Sequence, residues 1–142
     1  MKIKMFLISV LLIPTSLYAT DNSELLNRYN ESEDGQEYLR ALTHEDCISL
    51  VNEIGRSSSL WKICTDFDTE RHDKKLNDSY KILIKENRGL RDIQRAWIKY
   101  RDLKCNFRMT SGASGMGTYA CMREETKRRS EELLGLIEFR GY

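Results

Sequence analysis

The chain has 142 residues, 40% of them hydrophobic and 32% charged, with a net charge of +1 at pH 7. That length bounds it to one domain around a single core. Basic residues gather in the second half, but Asp92, Asp102, Glu124 and Glu125 interleave with them, which favours a solvated face with helix-spaced ion pairs over nucleic-acid binding.

The first residues read as a signal peptide. Lys2 and Lys4 are followed by the apolar run Met5 to Ile13, then Pro14 and the short exit Thr15 to Ala19. Cleavage is expected after Ala19. The apolar run is too short to span a membrane, so no span remains once the leader is removed. No cysteine follows the leader directly, which argues against a lipid anchor. The mature chain is then Thr20 to Tyr142, in the periplasm or outside the cell. Its charge is uneven: residues 20–70 hold 12 acidic and 4 basic side chains, residues 71–142 hold 10 acidic and 17 basic.

Residues 20–42 are polar and acidic, with Leu25, Leu26, Tyr29, Tyr38 and Leu39 as their apolar content and a loop at Glu31 to Gly35. This segment reads as a weak helix or a loosely packed arm. Thr43 and Asp46 mark a helix start, because a threonine oxygen caps free amides and an acid suits the positive end. A helix from His44 to about Ile54 groups Cys47, Leu50, Val51 and Ile54, and Gly55 closes it. Ser57 to Ser59 turn the chain.

Leu60 to about Asn87 is mostly helical. Leu60, Cys64 and Phe67 form one stripe and Leu76, Tyr80, Leu83 and Ile84 the next, with a break predicted at Asp66 or Asp68 and an end at Gly89. Leu90 to Cys105 is the next helix, with Leu90, Ile93, Trp97 and Cys105 near one face beside the polar Gln94 and Arg101. Met109 to Tyr119 contains Gly112, Gly115 and Gly117 and reads as a loop. Cys121 to about Phe139 is the last helix, with Met122, Thr126, Leu133, Leu136 and Ile137 inward. The one proline lies in the leader, so nothing later blocks long helices. The expected architecture is all-α, a small antiparallel helical bundle stapled by two disulfides. Its parts are the signal peptide 1–19, the acidic segment 20–42 and the helical domain 43–142.

Four cysteines in a small exported chain point to two disulfides. Their spacings are too long for paired zinc ligands, and only His44 and His72 could assist, so no metal and no cofactor is expected. Both histidines read as surface residues. There is no glycine-rich phosphate loop, HExxH or GxSxG, and an enzyme is not expected. Trp97 reads as core. Gln94 and Arg101 then border the core and need partners, for which Asp73 is the best placed. Asp73, Gln94, Trp97 and Arg101 are thus expected to form a structural network that fixes the register of two antiparallel helices.

Two stretches carry a resemblance. Asp73-Lys-Lys-Leu76-Asn77-Asp-Ser-Tyr80 fits D-x-x-L-N-x-x-Y. Leu90 to Cys105 fits L-R-x-x-Q-R-x-W-x-x-x-R-D-x-x-C, and a glycine-containing loop with Cys121, Thr126, Arg129 and Leu133 completes the pattern. Over about Cys47 to Leu134 the chain resembles the LprI-type lysozyme inhibitor family. The resemblance implies a small exported four-cysteine helical domain whose founding member inhibits lysozyme. It carries over no contact residue.

The pairs Cys47–Cys64 and Cys105–Cys121 are expected, since each brackets a local segment and the second flanks a loop between helices that run back on each other. The expected function is that of an exported binding protein that inhibits a lysozyme or other peptidoglycan hydrolase by steric occlusion. The alternative is an immunity protein against a secreted toxin, or an envelope structural adaptor. Partner contact is expected at the glycine-rich loop, through Ser111, Ser114, Met116 and Tyr119. The acidic stretch Glu31 to Glu37 would steer toward a basic lysozyme.

Overall fold

The computed structural model describes residues 22–55, 57–110 and 115–141, with 108–110 as backbone only. The expected leader and its cleavage site fall outside the described residues, as do Ser111 and Ser114. Six helices follow in chain order: α1 Asn22–Glu31, α2 Gly35–Ala41, α3 His44–Ile54, α4 Ser58–Leu83, α5 Leu90–Thr110 and α6 Gly115–Arg140. Among the described residues there is no strand, and no helix is long and apolar enough to cross a membrane.

Local chemistry sets the short helices. Asp34 caps α2 by accepting from the amides of Gln36 and Glu37 at 2.9 and 3.2 Å. Gly35 follows because the Tyr29 ring lies 2.8 Å from where a Cβ would stand. Thr43 caps α3 through the Asp46 amide at 3.1 Å, and Ser57 caps α4 through Leu60 at 3.4 Å. Each such cap contributes about 1 kcal/mol. Gly55 ends α3 at φ 121°, a conformation costly for a side-chain-bearing residue.

The expected break near Asp66 and Asp68 does not occur. α4 runs unbroken for 26 residues, roughly 39 Å. The two apolar stripes of α4 serve two separate cores. Cys64 and Phe67 join Leu25, Leu39, Cys47, Leu50 and Val51. Leu76 and Leu83 join Leu90, Leu133 and Ile137, with Tyr80, Ile84 and Trp97 packed against them. Asp68 lies between the cores on the buried side. It is tolerated inside a helix because cations from α4 and α6 reach it, so the polar interruption is a paired waist and not a turn.

α4 and α6 form the long central pair, packed along their length; α2 and α3 lie on α4, α1 on α3, and α5 on α6. α4 and α6 run parallel, as the pairs Lys62 with Tyr119 and Asp68 with Arg123 show. α5 returns antiparallel between them in sequence, fixed by the disulfide Cys105–Cys121. The second disulfide, Cys47–Cys64, ties α3 to α4. Both expected pairings are therefore present, and all four sulfur-bearing residues are buried.

Residues 22–42 are not a loose arm. α1 and α2 pack on α3 and α4, and Leu25 and Leu39 are 3% and 1% exposed. The helix boundaries elsewhere shift: α4 takes in Ser58 and Ser59, expected as a turn, but ends short of the expected Asn87. α4 stops at Leu83 before a non-helical turn to Leu90, and α5 extends to Thr110. α6 begins at Gly115, six residues ahead of Cys121, so Gly115 and Gly117 are helical. The entropy cost of glycine there is offset by the contacts that hold this turn, the Cys105–Cys121 disulfide and the Lys62 contact to Tyr119. Two residues assigned to the core face outward: Ile93 is 55% and Leu136 40% exposed.

Candidate functional site

Met116 and Tyr119, the described members of the expected contact loop, sit in the first turns of α6 and not on a loop. Both stay exposed, at 40% and 36%. Met116 shares a depression of about 270 Å³ with Val51, Asn52, Ser58 and Trp61, so the start of α6 stands beside the α3–α4 junction. The Lys62 ammonium lies 4.4 Å from the centre of the Tyr119 ring, a cation–π contact that holds the ring in place. Asp66, one turn further along α4, hydrogen-bonds the same ammonium and raises its pKa.

Trp61 also borders a second cleft of about 380 Å³ between α3, α4 and α6. His44, Thr65, Lys104, Arg123 and Glu125 lie on its walls. Trp61 thus borders both depressions, at the end of the bundle that carries the two disulfides. Sequence reading missed Trp61. Its position three residues before Cys64 was the available signal, since a residue next to a staple is held firmly.

The floor of this end is a charged network. Asp68 accepts from Arg123 Nε at 2.6 Å and from Arg71 Nη2 at 3.0 Å, and His72 Nε2 stands 3.4 Å away. Arg71 also donates to the carbonyls of Arg40 and Leu42 at 3.1 and 2.8 Å, which ties the α2–α3 junction to α4. Burial pushes the Asp68 carboxyl up, but the hydrogen bonds from Arg123 and Arg71 outweigh it and leave the pKa lowered. His44 and His72 are both partly buried here and not surface residues. Burial lowers both pKa values; Arg123 assists at His44, and Asp68 opposes the shift at each. On α6, the buried Glu125 binds Lys104 of α5 at 2.7 Å and Arg128 at 2.5 Å.

The expected structural network is rearranged. Gln94 is 8% exposed and accepts from Arg129 Nε at 3.1 Å. Arg101 pairs with its neighbour Asp102 at 2.9 Å. Asp73 is exposed and binds Asn77, at 2.9 Å on its own helix. The reason is the packing order: α5 is held by α6 and meets α4 mainly near their turn, so the partner of a polar group on α5 comes from α6. Trp97 is half-buried, with Arg101 and Arg129 at 5.1 and 5.9 Å from its ring centre.

Asp68, Glu125 and the histidines are each bound to or crowded by cations, and among the described residues no group of three metal-ligating side chains exists.

Comparison with known proteins fits this architecture. A protein of Rhizobium meliloti (strain 1021), named uncharacterized protein R02472, is 27% identical over 115 residues, covering 66% of this chain and 79% of that protein. No solved structure matches. The family model described as lysozyme inhibitor LprI matches residues 55–133, a span that holds Trp61, Asp68, Gln94, Trp97, the Cys105–Cys121 staple and Arg129, while Cys47 falls outside it. With more than half of its length matched, the chain belongs to the LprI lysozyme inhibitor family.

Proposed function

We propose that this protein is an exported inhibitor of a lysozyme-type peptidoglycan hydrolase and acts by steric occlusion. Membership of a family described as lysozyme inhibitors supports the target class. Two disulfides, which form and persist outside the reducing cytosol, support export through the leader at residues 1–19.

The observation that carries the occlusion reading is the exposed pair Met116 and Tyr119 on the stapled end of α6, beside Trp61. A sugar-binding cleft can be filled by a helix end that carries an aromatic side chain, because a tyrosine loses little entropy on docking. Ser111 and Ser114 adjoin this projection in the chain and complete the proposed contact. Charge supports the same orientation. Residues 22–54 carry eight acidic and two basic side chains, and the start of α1 lies beside the end of α3, where Asn22 donates to Glu53 at 3.4 Å. An acid-rich cap around the projection would speed encounter with a basic lysozyme and make it salt-dependent.

Complex formation is the test. Oxidised protein mixed with lysozymes of the chicken, goose and invertebrate types should co-elute with at least one of them in gel filtration, and less so at high salt. Co-purification instead with a secreted toxin would replace this reading with an immunity function.

A further inference from the structure

The opposite end of the bundle has a chemistry of its own that the occlusion reading does not use. It is formed by the α4–α5 turn and the last turn of α6. These are neighbours because Leu83 and Leu90, on either side of the turn, pack in one cluster with Ile137, two residues before Phe139. Residues 81–95 carry five basic side chains against Glu86 and Asp92. Lys85, Arg88, Arg91 and Arg95 are exposed and make no ion pair among the described residues. Arg88, Arg91 and Arg95 line a shallow depression of about 600 Å³, and Arg91 and Arg95 continue into another of about 330 Å³ beside Asn77 and Tyr80.

Apolar side chains are exposed on the same elements. Ile82 is 42%, Ile93 55%, Leu136 40% and Phe139 91% exposed. Unpaired guanidinium groups fit phosphate, which they bind through two parallel N–H donors. The first amides of α5 are already bonded to the carbonyls of residues 87–89, so the arginine side chains are the anion-binding groups.

We infer that this tip docks on an anionic lipid bilayer surface, with the arginines on phosphate headgroups and Phe139 and Ile93 at the acyl boundary. A soluble polyanion would satisfy the cations but leave Phe139 in water. A bilayer interface takes up both features. The acid-rich cap packs on the first half of α4, so the end presenting Met116 and Tyr119 would be turned away from the anionic surface. This inference stands independently of the lysozyme reading.

Vesicle co-sedimentation tests it, with wild type and variants sharing one N-terminus so that any leader contribution cancels. The protein should bind phosphatidylcholine vesicles containing phosphatidylglycerol and not phosphatidylcholine alone. The triple variant Arg88→Gln, Arg91→Gln, Arg95→Gln should bind roughly a hundredfold more weakly and lose most of the salt dependence. Phe139→Ser should weaken binding several-fold and keep the salt dependence. All four side chains are exposed, and unchanged thermal melts will show that the variants are folded. Absence of binding to phosphatidylglycerol vesicles, or binding that the triple variant retains, would overturn the inference. So would full competition by millimolar inorganic phosphate, which indicates a free-phosphate site. An inert Phe139→Ser variant combined with full competition by dextran sulfate would overturn it in favour of a soluble polyanion.

Discussion

Gln94 on α5 and Arg129 on α6 meet at 3.1 Å in a contact that leaves them 8% and 5% exposed. Arg129 is held from the other side by Glu132 at 2.8 Å. The pair fixes the register of α5 on α6, because a shift by one residue would leave a buried guanidinium without its amide acceptor. Gln94→Leu should therefore cost about 1.5–3 kcal/mol, the range for a hydrogen bond to a charged group. Chemical denaturation measures this, and an unchanged midpoint would remove the pair from the account.

Trp97 shields the same contact. With its ring half-buried between Arg101 and Arg129, Trp97→Ala should destabilise by about 3 kcal/mol, the lower end for loss of a large aromatic side chain. A variant that keeps its melting temperature while losing partner binding would move Trp97 from the fold to the interface.

Much of the helical pattern could be read from the sequence. The Thr43 cap, the Gly55 stop, the two stripes of α4 and both disulfides follow from local rules, which depend on neighbours a few residues apart. What could not be read depends on helix order in space. Asp73 was a reasonable partner for Gln94 only if α4 and α5 packed along their length; α6 packs on both, and Arg129 takes the place. Asp68 looked like a break because nothing local shows that Arg123, 55 residues later, will neutralise it. The start of α6 was obscured by its glycines, whose low helix propensity was overridden by the disulfide and by the Lys62 contact to Tyr119. Residues 22–42 were underrated because two well-separated leucines carry their packing.

Those leucines provide a direct check. Leu39 is 1% exposed among α1 to α4, so Leu39→Ala should destabilise by about 2–5 kcal/mol. A loss near zero in a urea titration would restore the picture of a loose arm.

Stability should also fall in mild acid. His44 and His72 have pKa values below their ordinary 6.5, chiefly through burial. The unfolded chain binds these protons more readily, so their contribution is complete above pH 6.5 and declines as the pH drops toward the folded values. Asp68, lowered from 3.8, acts in the same direction only in stronger acid. Melting temperature should fall from about pH 7 to about pH 5, and a His44→Asn, His72→Asn variant should flatten that slope. An equally steep slope in the double variant would locate the effect elsewhere.

The staple at the presenting end makes a further demand. Cys105 and Cys121 are 16 residues apart, and a loop of that size contributes about 3 kcal/mol in the chain-entropy model. Cys105→Ser with Cys121→Ser should lower the denaturation midpoint accordingly and weaken partner binding more than Leu39→Ala does at equal stability, since it frees the start of α6. Equal binding in the two variants would show that the projection needs no staple.

The most direct test of the central claim is a peptidoglycan-lysis assay with chicken-, goose- and invertebrate-type lysozymes against a micromolar excess of correctly oxidised protein. Point variants suit this assay better than a flexible replacement of residues 116–119, which would unwind α6. Inhibition of at least one lysozyme is expected, weakened by Met116→Ser and Tyr119→Ala in proteins whose thermal melts match the wild type. Absence of inhibition for all three types would contradict the lysozyme reading, and inhibition that both variants retain in full would contradict the placement of the contact on α6.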